Sequence, residues 1–442
     1  MQGFKGVPNP GRDSISDETA VSDDMPKAPF PGETNGENAS PDTFGSNAIA
    51  AASHGISRRS FVAVGATALA AGVATALTGC APAASSTATT EGDRSNVPDD
   101  KVGSTSAQPS STATPTDADI TIEAPSVEVK HEIVDSHLHF LDFLEKTDGF
   151  PALVRAMDLS GVSQSVIFGM GIAKQWDETL DVAPSYYLSN DSRCYYYSGT
   201  DFILAEELLA QPAEIRQRFF PFMCGINGND RFAADHIRQM LRLYPNFWCG
   251  IGELMSRHDD LTALTYGEPP HIDHPAFLEI FDLGAEEGLP VLVHHNITAQ
   301  NSEKIIYREE LERALAHNRK CKIIWAHVGI SRRVEIQGLT TIADELLSSH
   351  KNLTIDISWV VFDYYFMDAF PSTYSDGDTL DDWVRLIEKW PDRFMIGTDK
   401  VGHWSTYPAE VVKYYPLLEK LSEETVRKIC RDNIKGLVKT YG

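Results

Sequence analysis

The chain has 442 residues, 42% of them hydrophobic and 23% charged, which is enough apolar material for one large core or two ordinary ones. Its formal charge of −25 sets net repulsion against nucleic-acid phosphates and anionic lipid surfaces, so neither is expected as a partner. Cys80, Cys194, Cys224, Cys249, Cys321 and Cys430 include no pair with zinc-finger or redox spacing, and most of them are expected to be small buried apolar residues. In chain order, residues 1–56 come first. They are rich in Pro, Gly, Ser, Asn and acidic side chains without apolar periodicity, the composition of a disordered leader.

The character changes at Ser57-Arg58-Arg59-Ser60-Phe61, which opens onto an uncharged stretch from Val62 to Thr78 and then Leu77-Thr78-Gly79-Cys80. That stretch is too short and too rich in Ala and Gly for a comfortable membrane span. The arrangement resembles a twin-arginine export signal ending in a bacterial lipoprotein cleavage box, which implies lipid on Cys80 and a folded domain tethered outside the cell membrane. The acidic stretch ahead of the arginines departs from the short basic one usual in such signals. Residues 81–130, dominated at first by Ser, Thr, Ala, Pro and Asp, read as a flexible linker. Lipid anchorage is then the expected membrane contact, and homo-oligomerisation is left open.

From residue 131 to 442, short apolar runs alternate with segments of helical periodicity. Eight runs read as strands: 133–140, 164–169, 219–225, 248–254, 290–294, 322–327, 353–357 and 394–398. Between them the spacing predicts helices that include 233–244, 275–287, 309–317, 342–350 and 380–389, with stop signals at Gly288-Leu289-Pro290 and Trp390-Pro391-Asp392. The pattern predicts an α/β fold, a (β/α)8 TIM barrel. A doubly wound sheet is the alternative, but no G-x-G-x-x-G turn follows the first strand. The tyrosine-rich stretch 173–200 reads as a long insertion over the mouth of the barrel.

The chemistry sits at the strand ends. Alternation on the first strand puts Asp135, His137 and His139 on one face, where two imidazoles can share an ion at about 2.0–2.1 Å. The fifth run ends in His294-His295, the sixth in His327, the eighth in Asp399 and the fourth in Glu253. Barrel enzymes place reactive groups at these strand ends. Burying even one such group unpaired costs several kcal/mol, so their recurrence points to a shared ligand.

Val134-Asp135-Ser136-His137-Leu138-His139, Pro290-Val291-Leu292-Val293-His294, Ile324-Trp325-Ala326-His327-Val328-Gly329 and Met395-Ile396-Gly397-Thr398-Asp399 resemble the amidohydrolase-related branch of the amidohydrolase superfamily. Asp432-Asn433-Ile434 is similar to that family's closing helix. The resemblance implies a metal site of His137, His139, His294 and Asp399, with His327 a ligand or the group that polarises the attacking water, and His295 pointing elsewhere. Gly250-Ile251-Gly252-Glu253 is similar to an element whose glutamate can ligate a second ion. No lysine stands near that strand end, against a lysine-bridged pair of ions, so one tightly held divalent ion, zinc, is expected, with Glu253 near it or holding a weaker second one.

Such a site activates water toward a carbonyl, with Asp399 or His327 accepting the proton, and suits hydrolysis of an amide, ester or lactone of a small substrate. Arg193, Arg257, Arg332 and Arg333 are candidate clamps for a substrate carboxylate, and Lys400, His403 and Trp404 are expected at the mouth. The tyrosines of the insertion suit an aromatic substrate or the packing of the loop. Non-oxidative decarboxylation on the same ligands, and a surface-binding lipoprotein without chemistry, are the competing readings.

Overall fold

The computed structural model describes residues 120–176, 184, 186–330, 335–359, 361 and 378–441. The leader, the signal segment with Cys80, and the linker through residue 119 lie outside the described residues. Residues 120–130, the end of the expected linker, carry no helix or strand. They nevertheless belong with the barrel: Ile120 and Ile122 pack on the core, and Glu123 N–H donates to Ser405 O at 2.9 Å. Among the described residues no helix is long and apolar enough to cross a membrane.

Eight parallel strands run in chain order around one sheet: Ile133–Asp135, Val162–Ile167, Phe219–Met223, Gly250–Ser256, Val291–His295, Ile323–Ala326, Leu353–Asp356 and Phe394–Met395. The sheet closes on itself. The first strand resumes at Leu138–His139 and the eighth at Lys400–Val401, and these segments pair in parallel, while Ser136 N–H donates to Ile396 O at 3.0 Å. The fold is therefore the (β/α)8 barrel the alternating pattern predicts. Val134, Val166, Phe168, Phe222, Leu292, Ile324 and Met395 fill its interior, joined by Ile434 and Val438 of the C-terminal segment. Lys439 N–H donates to Cys249 O at 3.0 Å, ahead of the fourth strand, so that segment closes the end opposite the mouth. The alternate residues Ile133, Ile251, Val291, Val293, Ile323, Trp325 and Ile355 face outward into the layer of helices.

Local signals set the helix limits. Pro275–Glu287 starts under the His274 side chain, which accepts from Ala276 N–H, and stops at Gly288 with φ +68°. Leu380–Lys389 starts with reciprocal bonds between Thr379 and Asp382. The insertion after the second strand carries an antiparallel pair, Ile172–Lys174 with Cys194–Tyr196, and then a helix, Gly199–Leu209, outside the helices the periodicity picks out. Buried Lys174 holds this insertion by donating to the carbonyl oxygens of Tyr187, Asn190 and Ser192 at 2.7, 2.9 and 2.6 Å. Cys194, Cys224, Cys249, Cys321 and Cys430 are all buried and free, as expected.

The residues after the eighth strand latch the seam instead of lining an open mouth. Trp404 is buried with its indole N–H on Gly149 O at 3.1 Å, and Lys400 Nζ donates to Thr406 Oγ1 at 2.6 Å. His403 Nδ1 bonds Asp148 Oδ1 at 2.9 Å and its Nε2 bonds Asp142 Oδ2 at 3.3 Å, joining the loops that follow the first and last strands. Burial opposes protonation of His403, but the two carboxylates outweigh it and raise its pKa to about 9. A pKa raised on folding gives stability that is complete below the unfolded value of about 6.5 and is lost as pH rises through 9. His403→Gln is expected to lower unfolding free energy by about 1.5–3 kcal/mol at pH 6, with a smaller deficit at pH 10, measured by urea denaturation at both pH values.

Candidate metal centre

The first strand is interrupted between Asp135 and Leu138, and this interruption aims its histidines. Val134, His137 and His139 all face the interior, so one extra residue separates Val134 from His137 and the alternation resets. Asp135, expected on the same face, instead faces the outer layer. Its buried carboxylate accepts from Thr398 Oγ1 at 2.7 Å, Tyr407 OH at 2.8 Å and the N–H groups of His137 and Thr398 at 3.0 Å each. Burial pushes its pKa up to about 6 against those four donors.

Six buried or nearly buried groups meet at the C-terminal ends of the strands. Asp399 Oδ1 lies 3.3 Å from His137 Nε2 and 3.2 Å from His139 Nε2, and Glu253 Oε2 lies 3.7 and 3.4 Å from the same two nitrogens. The other oxygen of Glu253 faces His294 Nδ1 at 3.1 Å and His327 Nε2 at 3.4 Å, and Asp399 Oδ2 lies 3.7 Å from His327 Nε2. Within the groups His137/His139/Glu253, His137/His327/Asp399 and Glu253/His294/His327, ligand atoms lie within 4.8 Å of one another.

The far side of each imidazole settles which nitrogen is bare. His139 Nδ1 meets Gly169 O at 2.8 Å, His137 Nδ1 meets Asp356 Oδ2 at 2.6 Å and His294 Nε2 meets Asn296 Oδ1 at 2.8 Å. Each of these oxygens only accepts, so each of these nitrogens carries the hydrogen and the opposite one offers its lone pair to the centre. His327 Nδ1 is met by Ser358 Oγ at 2.8 Å.

The donor set fits a divalent ion. Charge-assisted N–H···O bonds run about 2.7–2.9 Å, whereas two ligands about 2.1 Å from a shared tetrahedral ion stand about 3.4 Å apart. The spacing here, 3.1 to 3.7 Å, is of the second kind, and buried His137 Nε2 has no hydrogen-bond partner. Without an ion, protons supply the positive charge. Burial opposes it, but Glu253, Asp399 and Asp356 hold His137 well above its usual pKa, and Asp399 and Glu253 raise His139 to about 8. Burial would likewise raise both acids, yet the neighbouring imidazoles keep Glu253 and Asp399 below the usual carboxylate range.

Backbone geometry at the strand ends is special. A Cβ on Gly252, with φ +127°, would lie 2.3 Å from Leu292 O, so only glycine lets the fourth strand pass the fifth and deliver Glu253. His327, Val328, Trp359 and Asp399 hold φ of +56, +55, +58 and +53°, left-handed values that non-glycine residues adopt at a cost of about 1–3 kcal/mol each.

No protein-family model matches the sequence, and no curated protein matches it. Solved structures similar to the chain include an uncharacterized TIM-barrel protein from Bordetella bronchiseptica at 13% identity, covering 69% of this chain and 98% of that one with a TM-score of 0.45. A dihydroorotase from Campylobacter jejuni is similar at 17% identity over 68% of this chain and 81% of its own, with a TM-score of 0.42. A 2,6-dihydroxybenzoate decarboxylase from Rhizobium is similar at 14% identity over 70% and 98%, with a TM-score of 0.43. The barrel stands on this chain's own closed sheet.

The structure thus brings His137, His139, Glu253, His294, His327 and Asp399 together, but it groups His294 with Glu253 and His327 and not, as the resemblance implied, with His137, His139 and Asp399. His295 turns away, bonding Ser256 Oγ and Tyr307 O at 3.0 Å each, and burial lowers its pKa to about 3. Two of the arginines find other partners. Arg257 is committed to Glu310 at 2.7 Å and lies 4.0 Å over the Tyr307 ring, and exposed Arg193 lies 5.8 Å over Tyr266. Arg332 and Arg333 lie outside the described residues. A further acidic group, His271, Asp273 and Glu310, already holds Arg257 and Arg313.

Sequence reasoning missed Asp356, Ser358, Asn296, His258 and Trp359. The His258 ring stacks on His294 at 4.4 Å, and the Trp359 ring lies 5.2 Å from His327. The signal was available for two of them: Asp356-Ile357-Ser358 ends the seventh apolar run with polar residues two apart, as the other strands end. His137→Ala and Asp399→Ala are each expected to lower zinc affinity by more than about a hundredfold, above the cost typical of outer partners, as read by elemental analysis and competition with a chromophoric chelator. Wild-type occupancy in both variants would place the ion elsewhere.

Proposed function

We propose that this protein is a metal-dependent hydrolase that activates water at the barrel mouth and cleaves an amide, ester or lactone bond of a small substrate. The observation that supports it is the turning of bare imidazole nitrogens from four histidines toward two carboxylates. His137, His139, Glu253 and Asp399 would hold one divalent ion, with zinc, which takes imidazole and carboxylate ligands alike, the natural choice. His294 and His327 would hold a second across Glu253, whose two oxygens face the two groups separately. Bound there, a divalent ion lowers the pKa of water and polarises a carbonyl oxygen.

The protein's own groups supply the rest. The Asp399 side chain is 14% exposed while those of Glu253 and the four histidines are 3% or less, so water meets the centre at Asp399. Asp399 takes the proton of the attacking water and returns it to the leaving group; with the second position empty, His327 Nε2 is bare and serves beside it. The ring of buried Phe168 stands across those of His137 and His139 at centroid distances of 5.0 and 4.6 Å and gives them an apolar flank. Trp359, with His258, borders the centre and suits a planar substrate.

In oxygen-18 water, with a panel of small lactones, aryl esters and N-acyl amino acids, the zinc-loaded protein is expected to place label in the new carboxylate, and Asp399→Asn to slow turnover at least about a hundredfold. Carbon dioxide release from dihydroxybenzoates, with no label in the organic product, would make the protein a decarboxylase and refute hydrolysis.

We propose further that the chain is exported folded by the twin-arginine route and anchored outside the membrane by lipid on Cys80. Arg58-Arg59, the uncharged stretch 62–78 and Leu77-Thr78-Gly79-Cys80 support this reading. Cys80→Ala is expected to leave an uncleaved precursor or to release the protein from membranes, read by fractionation and intact mass. A normally processed, membrane-bound variant would overturn it.

A further inference from the structure

The seventh strand contributes no ligand, yet it ends in buried Asp356, and buried Ser358 follows two residues later. Ser358 Oγ lies 2.9 Å from Asp356 Oδ2 and 2.8 Å from His327 Nδ1, and its backbone N–H donates to Asp356 Oδ1 at 2.9 Å. Asp356 Oδ2 also accepts from His137 Nδ1 at 2.6 Å. A hydroxyl has one proton. A carboxylate oxygen can only accept, so the Ser358 proton goes to Asp356 and the lone pair of Ser358 faces His327. His327 Nδ1 must therefore carry the ring hydrogen, which leaves Nε2 bare toward Glu253 and Asp399.

His137 and His139 are set by groups that accept whatever their neighbours do, a carboxylate and a backbone carbonyl. His327 depends on a hydroxyl that could donate as well as accept, and the direction of that hydroxyl is imposed by Asp356. Remove the hydroxyl, and the favoured place for the His327 hydrogen becomes Nε2, which faces Glu253 Oε1 at 3.4 Å and Asp399 Oδ2 at 3.7 Å. A hydrogen there blocks the lone pair a cation needs.

We propose that Ser358 is a positioning residue that sets the tautomer of His327 and so creates the second ion position. Asp356, by taking the hydrogens of both His137 and Ser358 on one oxygen, ties that position to the first. The inference rests on the two-ion reading above.

Calorimetric titration of the metal-free full chain with zinc tests it. The wild type is expected to take up two ions in separable steps. Ser358→Ala should bind the first as tightly as wild type and the second about ten- to a hundredfold more weakly, while Ser358→Thr, which keeps the hydroxyl, restores it. Asp356→Asn should weaken both steps. The intact first step in Ser358→Ala reports an intact fold, and nitrogen-15 spectra of histidine-labelled, zinc-loaded protein should show hydrogen on Nδ1 of His327 in the wild type. Two wild-type steps in Ser358→Ala, or a Ser358→Thr variant as weak as Ser358→Ala, would overturn the role of Ser358 and leave the centre standing. A wild type that takes up one ion removes the second position and this inference with it; one that takes up none removes the metal reading as well.

Discussion

Closing the barrel forces the first and last strands together at the place where both carry the chemistry, and the buried carboxylate of Asp135 makes that closure. It gathers donors from His137, Thr398 and Tyr407, so one side chain joins the first strand, the eighth strand and the helix Tyr407–Val412. Gly397 makes the approach possible, since a Cβ there would lie 2.7 Å from His137 Cβ. Asp399 N–H then reaches His137 O at 2.8 Å, which sets a ligand of the last strand beside the ligands of the first. An unpaired carboxylate in this position would cost several kcal/mol; with four donors it becomes the fixed point from which the centre is built.

The strain at the mouth follows from the same arrangement. Strand ends that carried on as regular sheet would point His327 and Asp399 along the barrel wall. Left-handed backbone at these residues, and at Trp359, turns the chain sharply at the rim instead. Local bonds oppose the cost: Ile330 N–H closes on His327 O at 3.0 Å, and Trp325 Nε1–H holds His295 O at 3.0 Å beneath it.

Electrostatically, the centre is written for positive charge. Two carboxylates so close would repel one another, and burial would raise the pKa of each, yet both stay below the usual range because imidazoles surround them. A divalent ion can take the place of those protons without moving a side chain, since the ligand spacing is already that of a shared ion. The outer acceptors Asp356, Gly169 O and Asn296 hold the rings in place in either state, so that the same nitrogens face the centre whether they carry a proton or offer a lone pair.

Eight strands and five of the helices between them were legible in the chain, though not Gly199–Leu209, because strand and helix periodicity and the stops at Gly288 and Pro391 are local properties. The sequence also placed five polar strand ends at one mouth, because parallel strands end on the same side whatever their exact register. Which face each residue takes was decided elsewhere. Asp135 left the expected face when the interruption after it reset the alternation, and Arg257 found Glu310, 53 positions away, in place of a substrate. Asp356 meets His137 across 219 positions and Ser358 meets His327 across 31. Contacts between residues so distant in the chain exist only in the folded barrel, and they set the tautomers of His137, His139 and His327, whereas His294 is set locally by Asn296.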